Sequence, residues 1–378
     1  MIRDATIIGA GPAGCVAAII LAREGWNVRL IEQHRFPRDK VCGECLSALG
    51  YDVLERLDLS DSFQQLSPVL LNRTAIHSPN GARVEIWLPQ PMWGVSRLRL
   101  DQWLLDSARD SGAEILEPTR CEKLTITKTS LPVLTVRDLS TNEVSELKSS
   151  FVLLADGKRA LIKPRPAATA ELGIKAHFQG VQGTGDSIDL FGVDGHYGGV
   201  APIEDGRWNV AFSVPRGRVQ AHEGDLDALF NAIVKENLGL KDHFDGAKRC
   251  TPWLASALAR FAPSRSWQAT VIPIGNAAAS IEPIGGEGMG LAMRSAELAA
   301  RMLRSDHFDA RALRREYARL WRTRSLSCRA AAMIVSNRRI ANAIAPTLAR
   351  VPIVRKAAMS LIGKRATAKI IVATDESP

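Results

Sequence analysis

The chain has 378 residues, 46% apolar and 24% charged, which excludes a disordered or collagen-like polymer and leaves room for two to three domains. Its formal charge of +9 is concentrated near the C-terminal end, where Arg311 to Lys369 holds fifteen Lys/Arg against one acid, Glu316. No apolar run reaches the ~18 residues of a membrane span, and the scattered Cys15, Cys42, Cys45, Cys121, Cys250 and Cys328 read as reduced thiols rather than a disulfide framework.

The opening ATIIGAGPAGCVAAIILAREGWNVRLIEQ has no charged-then-apolar leader, so a cytoplasmic protein is expected, with a membrane surface as the alternative location. It predicts a strand, the turn Gly9-x-Gly11-x-x-Gly14, a helix of small and apolar residues closed by Gly25, and a second strand ending on Glu32. Gly9 makes the tight turn, Gly11 lets backbone approach a pyrophosphate, and Gly14 lets the helix pack close to the sheet. The helix N-terminus offers unpaired N–H groups to phosphate, and Glu32 stands where a ribose hydroxyl would donate. These parts in this order predict an adenine dinucleotide site.

Next comes RFPRDKVCGECLSALG, with Cys42 and Cys45 in C-x-x-C spacing. Three readings are open: half of a metal site, a redox disulfide, or a loop whose thiols act separately or not at all. Zinc needs four ligands and no second C-x-x-C exists, so no metal is expected. Gly43 allows close approach of the backbone to a neighbouring group, and Arg38 or Lys40 would favour the Cys42 thiolate.

RTAIHSPNGARVEIWLP predicts a hairpin turning at Pro-Asn-Gly. VSRLRLDQWLLDSARDSGAEI predicts a helix entered at Arg97, and FVLLADGKRALIK a strand ending at Asp156-Gly157. From Gly173 to Val214, IKAHF, SIDLF, YGGVAPI and RWNVAFSV predict antiparallel strands, and DLDALFNAIVKENLG a helix. Trp87, Trp93 and Trp208 are read either as lining an apolar pocket or as core packing. TVIPIGNAAASIEPIGGEGMGLAMRSAELAARML predicts a strand to Gly275 and a glycine-rich entry into a long helix. Beyond Asp306 the pattern is helical and basic, divided by Pro346 and Pro352, with Leu313, Tyr317, Leu320 and Trp321 on one face. It lacks the stacking aromatics of a nucleic-acid binder, so no nucleic-acid partner is expected. It reads either as a helical cap with a solvated basic face or as a surface for anionic lipid.

The motifs at 7–32, 40–46, 95–104, 152–157 and 271–300 resemble the FAD-dependent family that includes para-hydroxybenzoate hydroxylase and geranylgeranyl reductase. Cys42-Gly43-Glu44 and Gly-Glu-Gly-Met-Gly place the resemblance nearer the geranylgeranyl reductase branch. Two departures are Asn276, where the family has Asp, and Lys158-Arg159 after Asp156-Gly157. The resemblance implies an α/β (α+β) fold: a Rossmann-like FAD-binding domain over 1–70, 96–165 and 268–305, an inserted antiparallel substrate sheet over 71–95 and 166–267, and a C-terminal helical region over 306–378. It assigns to FAD the residues Gly9, Gly11, Pro12, Ala13, Gly14, Glu32, Gln33, Lys40, Cys42, Gly43, Arg97, Asp156, Gly157, Gly275, Asn276, Pro283, Gly286, Gly288, Met289 and Gly290, with Gly285 in the same loop. The candidate catalytic groups are Cys42, beside the ring, and His196 and Tyr197, at the start of a strand facing it, where His196 would donate a proton.

No second GxGxxG is present, so NAD(P)H would bind transiently or a separate electron donor would serve. The implied reaction is hydride transfer to a carbon–carbon double bond of a hydrophobic small molecule, an isoprenoid or unsaturated polyketide. The alternatives are a monooxygenase acting on an aromatic or polyketide ring, and a flavin- or lipid-binding protein without turnover. Oligomeric state is not legible in these motifs.

Overall fold

The computed structural model describes residues 3–127, 130–157, 161, 171–258, 267–304 and 308–343. Strand β1 (Asp4–Ile8) leads through the glycine turn into α1 (Pro12–Arg23) and returns as β2 (Asn27–Ile31). Pro12 occupies the first helical turn, where a missing N–H costs nothing, and the helix is buried from Pro12 to Leu21. The chain crosses to a second sheet at β3 (Cys45–Leu46), forms α2 (Ala48–Glu55) and α3 (Ser60–Gln64), and makes the expected hairpin of β4 (Val69–His77) and β5 (Arg83–Gly94). Helix α4 (Arg97–Asp110) begins where the Ser96 hydroxyl accepts the Arg99 N–H.

Strand β6 (Glu114–Leu116) returns to the first sheet, followed by a meander of β7 (Thr119–Thr125), β8 (Val133–Asp138) and β9 (Val144–Lys148), then β10 (Phe151–Leu154). Next come β11 (Glu171–Gln179), β12 (Ser187–Val193), β13 (His196–Pro202) and β14 (Trp208–Pro215). Helices α5 (Arg216–Ala221), α6 (Leu226–Glu236) and α7 (Leu238–His243) precede β15 (Lys248–Arg249) and β16 (Leu254–Ala257). The chain re-enters the first sheet as β17 (Val271–Pro273) and finishes with α8 (Gly288–Leu303) and α9 (Ala310–Ser336).

The first sheet is parallel throughout, in the order β17-β10-β1-β2-β6. Helices α1, α4 and α8 pack together, and the meander's Leu134 and Val136 join Ile8, Ile31, Val152 and Leu154 in a separate core. The second sheet runs β15-β11-β14-β13-β12-β4-β5-β3, with β16 also on β11. Its pairs are antiparallel except β4 with β12. The fold is therefore the mixed α/β architecture expected: a Rossmann-like parallel sheet beside an antiparallel one, with a helix at the end.

Two details differ from the sequence reading. The single helix expected over DLDALFNAIVKENLG breaks at Asn237, whose side chain accepts the Gly239 and Leu240 N–H groups and so starts α7. The same amide donates to the carbonyls of His77 and Gly192, tying the break to the sheet. Trp87 faces solvent: it is 67% exposed, because β5 buries its neighbours Ile86 and Leu88, and Arg73 lies over its ring. Trp93 and Trp208 are core residues, Trp93 stacked on Tyr51 at 3.8 Å.

The apolar face foreseen for the C-terminal segment is real. Leu313, Tyr317, Leu320 and Trp321 of α9 are buried, and the Tyr317 hydroxyl lies 3.1 Å from the carbonyls of both Pro273 and Ser295. Pro346 and Pro352 lie outside the described residues, as do Lys158 and Arg159. No helix among the described residues is long and apolar enough to cross a membrane.

Candidate functional site

At the C-terminal ends of β1, β2 and β10 lies a cleft of about 700 Å³, lined by Gly9, Gly11, Glu32, Gln33, Lys40 and Asp156 among others. Its three glycines serve different needs. Gly9 has φ +105°, and a Cβ there would meet the Ala155 carbonyl oxygen at 2.5 Å; a Cβ at Gly14 would collide with the Gly9 carbonyl. Those two are required by the protein itself. A Cβ at Gly11 would meet nothing within 4 Å, so it would project into open space at the mouth of the cleft. That space is what a dinucleotide phosphate needs. Pro12 and Ala13 form the first turn of α1 beside it.

Glu32 is 5% exposed and accepts from the Ala10 N–H at 3.0 Å and the His34 N–H at 2.9 Å. Arg38 lies 3.9 Å from it and 2.8 Å from Asp101. Asp101, fully buried, also takes a bidentate pair from Arg97 at 2.7 and 2.6 Å. Burial alone would raise the Asp101 pKa, but Arg97 and then Arg38 and Lys40 outweigh it and hold the carboxyl below its usual range. Gly157, with φ +66°, sits where a Cβ would be 3.3 Å from Lys40 Nζ.

The second chamber, a cavity of about 160 Å³, lies under the antiparallel sheet. Its walls are Ile76, Ile86, Ile188 and Leu190 from β4, β5 and β12, Tyr197, Gly199 and Ala201 from β13, the turn Pro283–Gly286, and Ala331 and Val335 from α9. The remaining wall is the loop that opened the question of the cysteines. Arg38, Asp39 and Lys40 face the cleft, whereas Val41, Cys42 and Gly43 face the cavity. One short loop thus divides a polar chamber from an apolar one.

Cys42 and Cys45 both carry free thiols and both line the cavity. The Cys42 sulfur accepts the Glu44 N–H at 3.4 Å and interacts with the Arg97 guanidinium; the Cys45 thiol donates to the Gly43 carbonyl at 3.3 Å. Arg97 is pushed upward in pKa: its burial works against charge, and Asp101 and Cys42 overcome it. Among the described residues lining either chamber Arg97 does not occur; its guanidinium supports Cys42 and Asp101 from behind.

Glu44 fixes the loop. It is fully buried with φ +54°, an unusual conformation for a residue bearing a Cβ. Its carbonyl accepts the Val95 N–H, one carboxylate oxygen accepts the Arg97 N–H at 2.7 Å and the Lys175 ammonium at 2.6 Å, and the other accepts His177 Nε2–H at 2.7 Å. Lys175, with no exposed surface, also donates to Asp39 at 2.6 Å, and Asn209 donates to the Cys42 carbonyl at 3.1 Å. Asp39, Glu44 and His177 are close enough to ligate a metal, but the Lys175 ammonium already fills the cation's position between the two acids. Sequence reading missed Asp101, Lys175, His177 and Asn209. The available signal was GIKAHFQG, where Lys175 and His177 share one face of a strand and alternate with the apolar Ile174, Ala176 and Phe178.

The catalytic candidates on β13 separate. Tyr197 lines the cavity and its hydroxyl donates to the buried Glu282 carboxylate. His196, one residue earlier, points to the opposite face of the sheet, where Nδ1–H donates to the Asp194 carbonyl at 3.0 Å and Nε2 lies 3.5 Å from Arg218. Burial lowers its pKa. The one-residue step along a strand reverses the face, so the proton donor assigned to His196 has no route to this cavity.

In the glycine-rich segment, Gly275 has φ +57° and donates its N–H to Ser295 Oγ at 2.9 Å, with the partly buried Asn276 following in a single turn of 3₁₀ helix. Gly286 has φ +65° and packs on Met92 and Cys45. Gly288 opens α8 with free space at its Cβ position, and Met289 is buried. Gly290 serves packing: a Cβ there would strike Ser47 Oγ at the start of α2. The open face at Gly11, the buried acid at Glu32 and the free N-terminal face of α8 at Gly288 fit a flavin dinucleotide.

The chain matches the family model described as FAD binding domain over residues 3–306. It is 36% identical over 118 residues to a menaquinone reductase of Mycobacterium tuberculosis, a match covering 30% of this chain and 28% of that one. It is 28% identical over 251 residues to digeranylgeranylglycerophospholipid reductase 2 of Methanopyrus kandleri, covering 62% and 60%. The matches thus span less than two thirds of either relative. Among solved structures, a flavin-dependent brominase superimposes with a TM-score of 0.78 at 18% identity, covering 96% of this chain and 94% of that one.

Proposed function

The chain belongs to the FAD binding domain family, and from that premise we propose that it is an FAD-dependent oxidoreductase reducing a carbon–carbon double bond of a lipophilic substrate. The observation that carries the reading is the aliphatic cavity placed directly across the Arg38–Gly43 loop from the cofactor cleft. FAD, when bound and reduced, supplies a hydride. The chain's residues do the rest. Gly11, Glu32 and the first turn of α1 hold the dinucleotide, and the buried Asp101–Arg97 and Glu44–Lys175 pairs hold the loop that carries Cys42.

Ile76, Ile86, Ile188 and Leu190 strip water from an apolar chain and orient it by shape. Tyr197, whose hydroxyl is hydrogen-bonded to Glu282 at the cavity wall, would give its O–H proton to the second carbon on turning toward the substrate, and a proton taken up from water would then restore the phenol. Relatives named for reduction of menaquinone and of a digeranylgeranyl lipid support this substrate class.

The test is a product assay on FAD-loaded protein with dithionite or NAD(P)H and isoprenoid or polyene lipids, with and without oxygen. A gain of two hydrogens in the absence of oxygen is the expected result. Gain of an oxygen atom only in air would replace this reading with a hydroxylase, and no product under any condition would leave a flavin-binding protein without turnover.

A further inference from the structure

We infer that the outer face of α9 docks on the surface of an anionic lipid bilayer. The inner face of this helix is accounted for: Leu313, Tyr317, Trp321, Cys328, Ala332 and Val335 are buried. The outer face carries a different stripe at three- and four-residue spacing, Arg315, Arg319, Arg322, Leu326, Arg329 and Met333, all exposed. Leu326 and Met333 each leave 66% of their surface in water, and Ile334 and Ile340 leave 40%. Leu326 and Met333 lie two turns apart on α9 among the exposed arginines, with Ile340 just beyond the helix end, and an apolar stripe rimmed by charge is the surface that marks an interaction site.

The charge says what covers it. From Tyr317 to Ala343 the sequence holds no Asp or Glu, and the Glu316 carboxylate is taken by Arg319 at 2.7 Å. A nucleic acid would neutralise the arginines but leave Leu326 and Met333 in water. A bilayer with acidic headgroups satisfies both, with guanidinium groups at the phosphates and the two apolar side chains below them.

Position adds a reason for the partner. Ala331 and Val335, on the other side of the same helix, line the apolar cavity, so a docked α9 would put that cavity one helix diameter, about 10–12 Å, from the lipid. That consequence rests on the proposed substrate class; the docking itself does not.

The test is flotation of the full-length, FAD-loaded protein with vesicles of phosphatidylcholine alone or mixed with phosphatidylglycerol. Binding only to the anionic vesicles, released by salt, is expected. Arg322→Gln and Arg329→Gln should each weaken partitioning about fivefold, the effect of about one basic residue at an anionic surface, and Leu326→Ser/Met333→Ser should weaken it further. FAD content and unfolding midpoint should stay unchanged in all three, since none of these side chains touches either chamber. Equal binding to neutral vesicles, no binding at low salt, or variants that bind like the wild type would each overturn the inference. Preference for duplex DNA over vesicles would overturn it as well. Because flotation reads no turnover, a protein that binds vesicles yet reduces nothing would sink the proposed reaction and leave the docking intact.

Discussion

Lys175→Met gives the sharpest test of how the loop between the chambers is held. The ammonium lies 2.6 Å from both Asp39 and Glu44 and has no exposed surface, so its removal strands charge that water cannot reach. Losing one partner of a buried pair costs about 3–5 kcal/mol. Two features put this case near the lower end. The Asp39 side chain is 22% exposed and can turn outward, and Glu44 keeps the Arg97 N–H and His177 as donors. About 3 kcal/mol is therefore expected, a fall of roughly 6 °C in melting temperature at about 2 °C per kcal/mol for a chain of this size. Neutralising the stranded acid in Lys175→Met/Glu44→Gln should return most of the loss. Urea and thermal unfolding of the four proteins of this double-mutant cycle measure it. A single variant within about 0.5 kcal/mol of wild type, or a double variant no more stable than Lys175→Met, would refute the claim that the ammonium carries the loop.

Three other outcomes follow from the geometry. Gly11→Val should purify without flavin absorbance, because its side chain would fill the open face of the cleft, while the unfolding midpoint of the flavin-free protein stays near that of wild-type apoprotein. Cys42→Ala should lower turnover at least tenfold if the thiol meets the substrate, with flavin content unchanged, and Cys45→Ala, buried against Gly286, should act on stability more than on rate. On the outer face of the antiparallel sheet, Asp189 is held at about 2; burial opposes its ionisation, but hydrogen bonds from His243 and His77 prevail. Its stabilising effect is complete above its unfolded value of about 3.9 and is lost as pH falls through about 2, an effect of about 3 kcal/mol. Acid unfolding of Asp189→Asn should lack that component between pH 4 and 2.

The glycine turn, Glu32 and the hairpin were legible because each rests on local chemistry: a turn that only glycine fits, an acid at a fixed distance, a Pro-Asn-Gly between alternating runs. Trp87 was legible too, since Val84, Ile86 and Leu88 set a phase that turns residue 87 outward; treating it with the other tryptophans ignored that phase. The same error of one residue separated His196 from Tyr197. Lys175 and His177 were harder. Their partner Glu44 is more than 130 residues away in sequence, and only the sheet's closure over the loop makes a buried lysine sensible. Arg97 was found for its position in a helix entry, and its i, i+4 spacing to Asp101 already implied their ion pair, but its contact with Cys42 is one that no spacing in the sequence announces.

Helix α9 reaches its place only because two partners lack side chains. A methyl group at Gly192 would strike the Val335 carbonyl, and one at Gly285 would come within 2.8 Å of the Cys328 sulfur. The first contact is with backbone, so a methyl at Gly192 would push α9 away from the sheet beside Ala331 and Val335, whereas the second could be met by a shift of the Cys328 side chain. The cofactor cleft, built from other segments, would be left as it is. On the proposed substrate class, chain length would be tuned at Gly192, Ala331 and Val335, none of which lines the cofactor cleft, and a library at those three positions would vary the chamber while Gly11 and Glu32 stay in place.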